Sequence, residues 1–160
     1  MHARLIKSTL FSAALVLTAL TACASGPRGV TGELPQVTLD GLERQEEQIT
    51  LLLGLRNIND RPLPLTEVEV ELNSGDARIV TATHRPDFEI GARGREVLRM
   101  DGNAEPEGLR LLEPATNGNT RPGRISWSMQ VHLTDERGRS RTTEASGYLH
   151  PVPGQPGRFR

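Results

Sequence analysis

Two alternating stretches joined by a polar, proline-stiffened corner constrain this chain more than any other feature. Ile49, Leu51, Leu53 and Leu55 alternate with Thr50, Leu52, Gly54 and Arg56. Side chains two apart share one face of a strand, so the pattern predicts a strand with an apolar face. It stops at Asn57-Ile58-Asn59-Asp60. Asn and Asp hydrogen-bond their own backbone and tolerate left-handed conformations, which favours a tight change of direction. Pro62 and Pro64 follow. Proline fixes φ and lacks an amide proton, so this step is an edge or an extended connector and not a central strand. Val68, Val70 and Leu72 then alternate with Glu67, Glu69 and Glu71. That is an antiparallel strand with one buried and one wet face.

The flanking sequence continues in the same manner. Leu34–Leu42 is a strand candidate with Val37 and Leu39 on one face, ended or bulged at Gly41. Polar Glu43–Gln48 leads into the next strand. Asn73-Ser74-Gly75-Asp76 is a turn, with Ala77–Thr83 as the hairpin partner. His84–Asp87 breaks the pattern, Phe88 and Ile90 form a short extended piece, and Arg95–Met100 is a further strand with Val97 facing away from Leu98 and Met100. Residues 101–124 form a long Gly-, Pro- and Asn-bearing connection. A helical turn over Pro106–Leu112 would shorten it, and its length marks it as a candidate partner contact. Ile125, Trp127, Met129, Val131 and Leu133 give the clearest alternation of all. They place Trp127 inside, where its ring would bury on the order of 200 Å². Asp135–Arg139 turns the chain into Ser140–Leu149. The expected core is Leu51, Leu53, Leu55, Val68, Val70, Trp127 and Val131. About seven short strands and no strong helix predict an all-β, two-sheet antiparallel sandwich, with a closed barrel as the alternative.

The amino end has a targeting layout. Arg4 and Lys7 precede the apolar run Leu10–Leu20, and Thr21-Ala22 precedes Cys23. This predicts a secretory signal over 1–22, because the run falls short of the roughly 20 residues of a membrane-spanning helix. Cys23 is the one cysteine of the 160 residues, so no intrachain disulfide can form. Leu20-Thr21-Ala22-Cys23 resembles a bacterial lipobox, which implies cleavage before Cys23 and its lipidation, and so a membrane partner. An unmodified cysteine beside a cleavage site is the other reading. Ala24 in place of Asp, by resemblance to enterobacterial lipoproteins, implies the outer membrane facing the periplasm more than the inner membrane. Residues 23–33 read as a flexible tether, 34–149 as the folded domain, and 150–160, with Pro151, Pro153 and Pro156, as an extended or disordered tail.

The composition excludes more than it reveals. Removing the signal takes Arg4 and Lys7 from the 19 basic residues, which leaves 17 against 20 acidic ones, a net of −3. Near-neutral charge and 3% aromatic residues argue against a nucleic-acid surface. His84, His132 and His150 lack zinc-site spacing, and Ser126 and Ser128 sit on the outward side of a strand without a nucleophile elbow. Gly91–Gly94 has no phosphate-loop ending. Glu67, Glu69 and Glu71 spread along a strand instead of converging on a cation, and Glu105 with Glu107 is ordinary in a polar loop. No catalytic residue, metal site or cofactor is expected. A hydrolase assembled from His84, His132 and Glu105 stays open as a minority reading. Arg137, Arg139 and Arg141 make a basic hairpin tip, either a solvated turn or a contact for anionic lipid head groups.

Leu51–Asn73, LLLGLRNINDRPLPLTEVEVELN, resembles the late embryogenesis abundant group 2 family, also called the WHy (water stress and hypersensitive response) domain. Those domains place Asn-Pro-Asn between an apolar strand and a proline-containing step. Here the motif is Asn57-Ile58-Asn59, with Asp60, Pro62 and Pro64 just downstream. Pro35, Val37 and Leu39 fit the family's entry strand, and Trp127–Leu133 fits its closing hairpin. The resemblance implies an immunoglobulin- or fibronectin-III-like sandwich with no catalytic residues, and a role in desiccation and stress protection. Related domains are also associated with lipid binding.

Overall fold

The structure, a computed structural model, describes residues 29–85, 88–113 and 123–160. The signal, Cys23 and most of the expected tether lie outside these residues. The described chain is all-β, with ten strands and one short helix. In order these are β1 (Gln36–Gln45), β2 (Gln48–Arg56), β3 (Leu63–Leu65), β4 (Glu67–Ser74), β5 (Ala77–His84), β6 (Phe88–Ile90), β7 (Arg95–Ala104), α1 (Pro106–Leu111), β8 (Ile125–Thr134), β9 (Ser140–Leu149) and β10 (Arg158–Phe159). Eight of them form one antiparallel sheet in the order β10-β1-β2-β7-β5-β4-β8-β9, and β3 pairs with β6 beside it.

The large sheet is folded over on itself. β5 and β7 pair only through Val80↔Ala104 and Thr81↔Asn103, whereas their other neighbours pair over most of their length. This short seam joins a β10-β1-β2-β7 half to a β5-β4-β8-β9 half, and β1 and β9 come alongside each other on the opposite side. The result is a curled sandwich. Gly102 permits the seam. A Cβ there would collide with Val80 and come within 2.7 Å of the Thr81 carbonyl, and only a residue without one lets the two backbones approach so closely.

One continuous core fills the fold. It draws Leu42, Ile49, Leu51, Leu53, Leu55, Leu98 and Met100 from one half and Val68, Val70, Leu72, Val80, Met129, Val131 and Leu133 from the other. The alternating residues therefore face inward as their spacing requires, and Val97 is 48% exposed on the outer side. Gly41 follows a bulge in β1, where the register shifts between Leu39 and Gly41. Pro64 sits in a two-stranded sheet, where every strand is an edge and a missing donor costs no ladder bond. The helical turn is present at Pro106–Leu111 with proline in its first turn. Six residues cannot hold a helix alone. Gly108 lets it lie flat on β5, where a Cβ would meet the Arg78 and Ile79 carbonyls at 2.7 Å.

The structure departs from the expected layout in four respects. It has ten strands and not about seven, because β3, β6 and β10 are two or three residues long. The 150–160 segment is ordered and not a disordered tail. It turns back so that Phe159 pairs with Leu42, Arg158 with Glu43, and Phe159 also bridges to Pro151, and Phe159 is 8% exposed. The end of the expected tether, residues 30–33, is fastened to the domain. Trp127 lies on the inward side of β8 but is only partly buried. Its cross-strand partner is Gly147, so the ring spreads over bare backbone at the margin of the core, where an added Cβ would fall 2.9 Å from it.

Candidate functional site

The recognisable motif residues form a hydrogen-bonded corner between β2 and β3. β2 runs out at Arg56, and Asn57 and Asn59 turn inward, 0% and 4% exposed. The Asn57 side-chain amide donates to the carbonyls of Arg61 (2.8 Å), Ile90 (3.1 Å) and Gly91 (3.1 Å). Its Oδ1 accepts from the Asn59 backbone N–H and from Asn59 Nδ2, both at 2.9 Å. Asn59 Nδ2 also donates to the Glu33 carbonyl, and Asn59 Oδ1 accepts from the Glu33 N–H. Backbone bonds add to these, from Asn57 N–H to the Gly94 carbonyl and from Arg93 N–H to that of Asn59. Two buried amides thus tie β2, the β6–β7 turn and residue 33 together. No buried side-chain polar atom among the described residues lacks a partner.

Asp60 extends the corner to the surface. It accepts from the Val30 N–H at 2.6 Å and from Arg93 Nε at 2.7 Å, and its own N–H donates to the Val30 carbonyl. The Arg93 hydrogen bond, helped by the Val30 amide, holds its carboxyl below the usual carboxylate range. Arg141 reaches from the start of β9 and donates through both terminal nitrogens to the Gly32 carbonyl, at 2.7 and 2.9 Å. Residues 30–33 thus form a strap across this end of the sandwich. A groove of about 350 Å³ opens beside it, and Gly32, Glu33, Arg61, Pro62, Arg137 and Arg141 line part of its wall.

The remaining candidates stay apart. His84 ends β5, His132 faces outward from β8 with Nδ1 2.8 Å from the Thr142 hydroxyl, and His150 Nδ1 lies 3.2 Å from the Gly123 carbonyl. Ser126 and Ser128 are exposed on β8. Glu105 precedes α1 and Glu107 lies in its first turn. Glu67 and Glu71 pair with Arg85 and Arg78, and no group of three or more metal-ligating side chains occurs among the described residues. The structure thus does not bring His84, His132 and Glu105 together. Sequence reasoning found the Asn corner but missed the strap it holds, as well as Arg61 and Arg93. The contacts of the strap and of Arg93 join residues 26 to 109 positions apart, which no local pattern signals.

Two solved structures are similar at low identity. A crystal structure of a protein from Archaeoglobus fulgidus is 11% identical, covering 75% of this chain and 98% of that one, with a TM-score of 0.45. A solution structure of an Arabidopsis thaliana protein is 11% identical, covering 79% and 92%, with a TM-score of 0.48. No curated protein matches the sequence. The family model described as late embryogenesis abundant protein matches residues 52–145, a span from β2 to β9 that includes the corner. The chain belongs to the late embryogenesis abundant family.

Proposed function

We propose that this protein is a lipid-anchored, non-enzymatic domain of the bacterial cell envelope that protects neighbouring molecules during water stress. The observation that carries this reading is the corner itself. The residues that mark the family, Asn57 and Asn59, spend both side-chain amides on holding backbone, so they are scaffold and not reactants. The family supports the stress role. The surface suits it, since outward ion pairs such as Glu67–Arg85, Glu71–Arg78 and Glu43–Arg99 mix both signs of charge. Such a surface keeps its water and resists sticking to its neighbours. The anchor rests on the signal layout and Cys23, with the outer membrane facing the periplasm as the destination. Drying a labile enzyme beside the protein tests the role. Better recovery than beside an inert protein of equal mass is expected, and equal recovery would overturn it. Radiolabelled palmitate should enter the wild-type chain and not Cys23→Ser.

A second reading, a lipid-binding or envelope-assembly accessory, is favoured by the arginine-lined groove beside the strap. Native mass spectrometry of the full protein extracted from cells tests it. Finding neither lipid nor envelope partner would remove it.

A further inference from the structure

One end of the sandwich carries arginines that lack a carboxylate partner, and the turns at the other end are acidic. The strap, the Asn corner, the β6–β7 turn and the β8–β9 turn share one end, because Gln36 pairs with Arg56, Arg56 with Arg95, and Glu67 with Thr134, which pairs with Ser140. At that end Arg61, Arg137 and Arg141 line the groove, and none has a carboxylate partner among the described residues. The acidic groups facing them are Glu33, Asp135 and Glu136. Asp135 is taken up by Arg139 and by the backbone N–H groups of Arg137 and Arg139. At the opposite end the β1–β2 turn carries Glu46 and Glu47, and the β4–β5 turn carries Asp76. The cations at that end are Arg158, paired with Glu43, Arg44, bonded to the carbonyls of Glu46 and Leu109, Arg124, stacked on the Tyr148 ring, and Arg160, bonded through its backbone to His150.

The strap fixes where this basic end must lie. Val30 is pinned to Asp60 and Gly32 to Arg141. Only seven peptide steps separate Cys23 from Val30, and they include Arg28. Fully extended, they span no more than about 25 Å. A chain anchored at Cys23 therefore cannot stand on its acidic end, with the strap a ten-residue strand of about 33 Å away from the membrane, without releasing the strap. Building on the anchor proposed above, we propose that the groove end, through Arg61, Arg137 and Arg141, docks on the anionic phosphate-bearing head groups of the leaflet that holds the lipid. The negative surface potential of that leaflet attracts these arginines, which have no carboxylate partner among the described residues. The strap keeps the arginines within its short range, and the acidic turns point away.

The test uses the full, lipidated protein reconstituted in vesicles. Its acylated Cys23 offers no free thiol, so a single introduced cysteine carries an environment-sensitive fluorophore. Ser140→Cys reports on the groove end. Ser126→Cys, about 27 Å back along β8 from the Thr134 that pairs with Ser140, reports on the other. On phosphatidylcholine vesicles with about 30 per cent phosphatidylglycerol, a head-group quencher should act at least about twofold more strongly at position 140 than at 126. The difference should vanish on pure phosphatidylcholine, at about 0.5 M salt, and in Arg61→Gln/Arg137→Gln. The salt arm needs no arginine variant, so a misfolded variant does not blunt the test. Equal quenching at the two positions, or quenching that ignores lipid charge, overturns the docking while leaving the anchor intact. A mature chain whose mass shows no acyl groups at Cys23 overturns both.

Discussion

Replacing Asn57 with Ala should cost more than any exposed polar substitution in this protein, and its size can be worked from the corner. The side chain is fully buried and makes five hydrogen bonds. Three of these are fully buried, to the Ile90 carbonyl and to the two Asn59 donors. Each such bond is worth about 1 kcal/mol net, and the Asn59 N–H, left without an acceptor while Asn59 Nδ2 keeps the Glu33 carbonyl, costs about as much again. The Arg61 and Gly91 carbonyls are only partly buried and can take water instead. The expected loss is therefore about 3–4 kcal/mol, a large share of the 5–15 kcal/mol typical of a domain. It corresponds to a fall in melting temperature of about 10–15 °C. Urea unfolding measures it, with the slope against urea unchanged. Asn73→Ala, which removes one part-buried bond to Glu71, should stay within about 0.5 kcal/mol. A loss below about 1 kcal/mol for Asn57→Ala would refute the view that the corner holds the fold together.

Gly102→Val should force apart the β5–β7 seam, costing about 2–3 kcal/mol by urea unfolding, while Gly123→Ala, which has open space around it, should be neutral. Phe159→Ala should cost about 3 kcal/mol and raise proteolysis after Leu149; an unchanged digestion pattern would argue that β10 contributes nothing. Asp60 has its folded pKa lowered by Arg93 and the Val30 amide. Its contribution is thus present above the unfolded value of about 3.9 and lost as pH falls through the folded one. Hydrogen exchange at Val30 should accelerate in that acid window before the core amides do, and Asp60→Asn should abolish the pH dependence.

Much of the sandwich was legible in the sequence, for a definite reason. Period-two alternation over five or more residues leaves one solution for which face is buried, and β4 and β8 each carry it, whereas β2 is covered on both faces. Alternation gives the face but not the depth. Trp127 was placed on the correct side, yet the small partner Gly147 and the strand margin decided that it stays half covered. β10 has only two residues set among prolines and glycines, so no period exists to read. Its partner Leu42 lies more than a hundred residues earlier. The strap misled for a related reason. A Gly- and Ser-rich composition predicts freedom, but the constraint on it comes from the side chains of Asn59 and Asp60. The Asn corner was visible as a motif, whereas its partners came together only in three dimensions.

The corner also explains why its central residue can vary. Asn57 donates its N–H to Gly94 and the Asn59 N–H reaches Asn57 Oδ1, but the Ile58 N–H enters no hydrogen bond among the described residues. A proline at 58 would therefore forfeit nothing from its missing donor. It would press Asn57 towards extended backbone, as suits a residue that follows a strand. It would also reduce the freedom of the unfolded chain. The half-buried Ile58 side chain is the one loss to set against that gain. Ile58→Pro should thus stay within about 1 kcal/mol of the wild type, where Asn57→Ala and Asn59→Ala each lose several times as much. Combined, the two asparagine changes should cost less than their sum, because they share the bonds through Asn57 Oδ1. An Ile58→Pro variant as unstable as Asn57→Ala would show that residue 58, and not the paired amides, sets the turn.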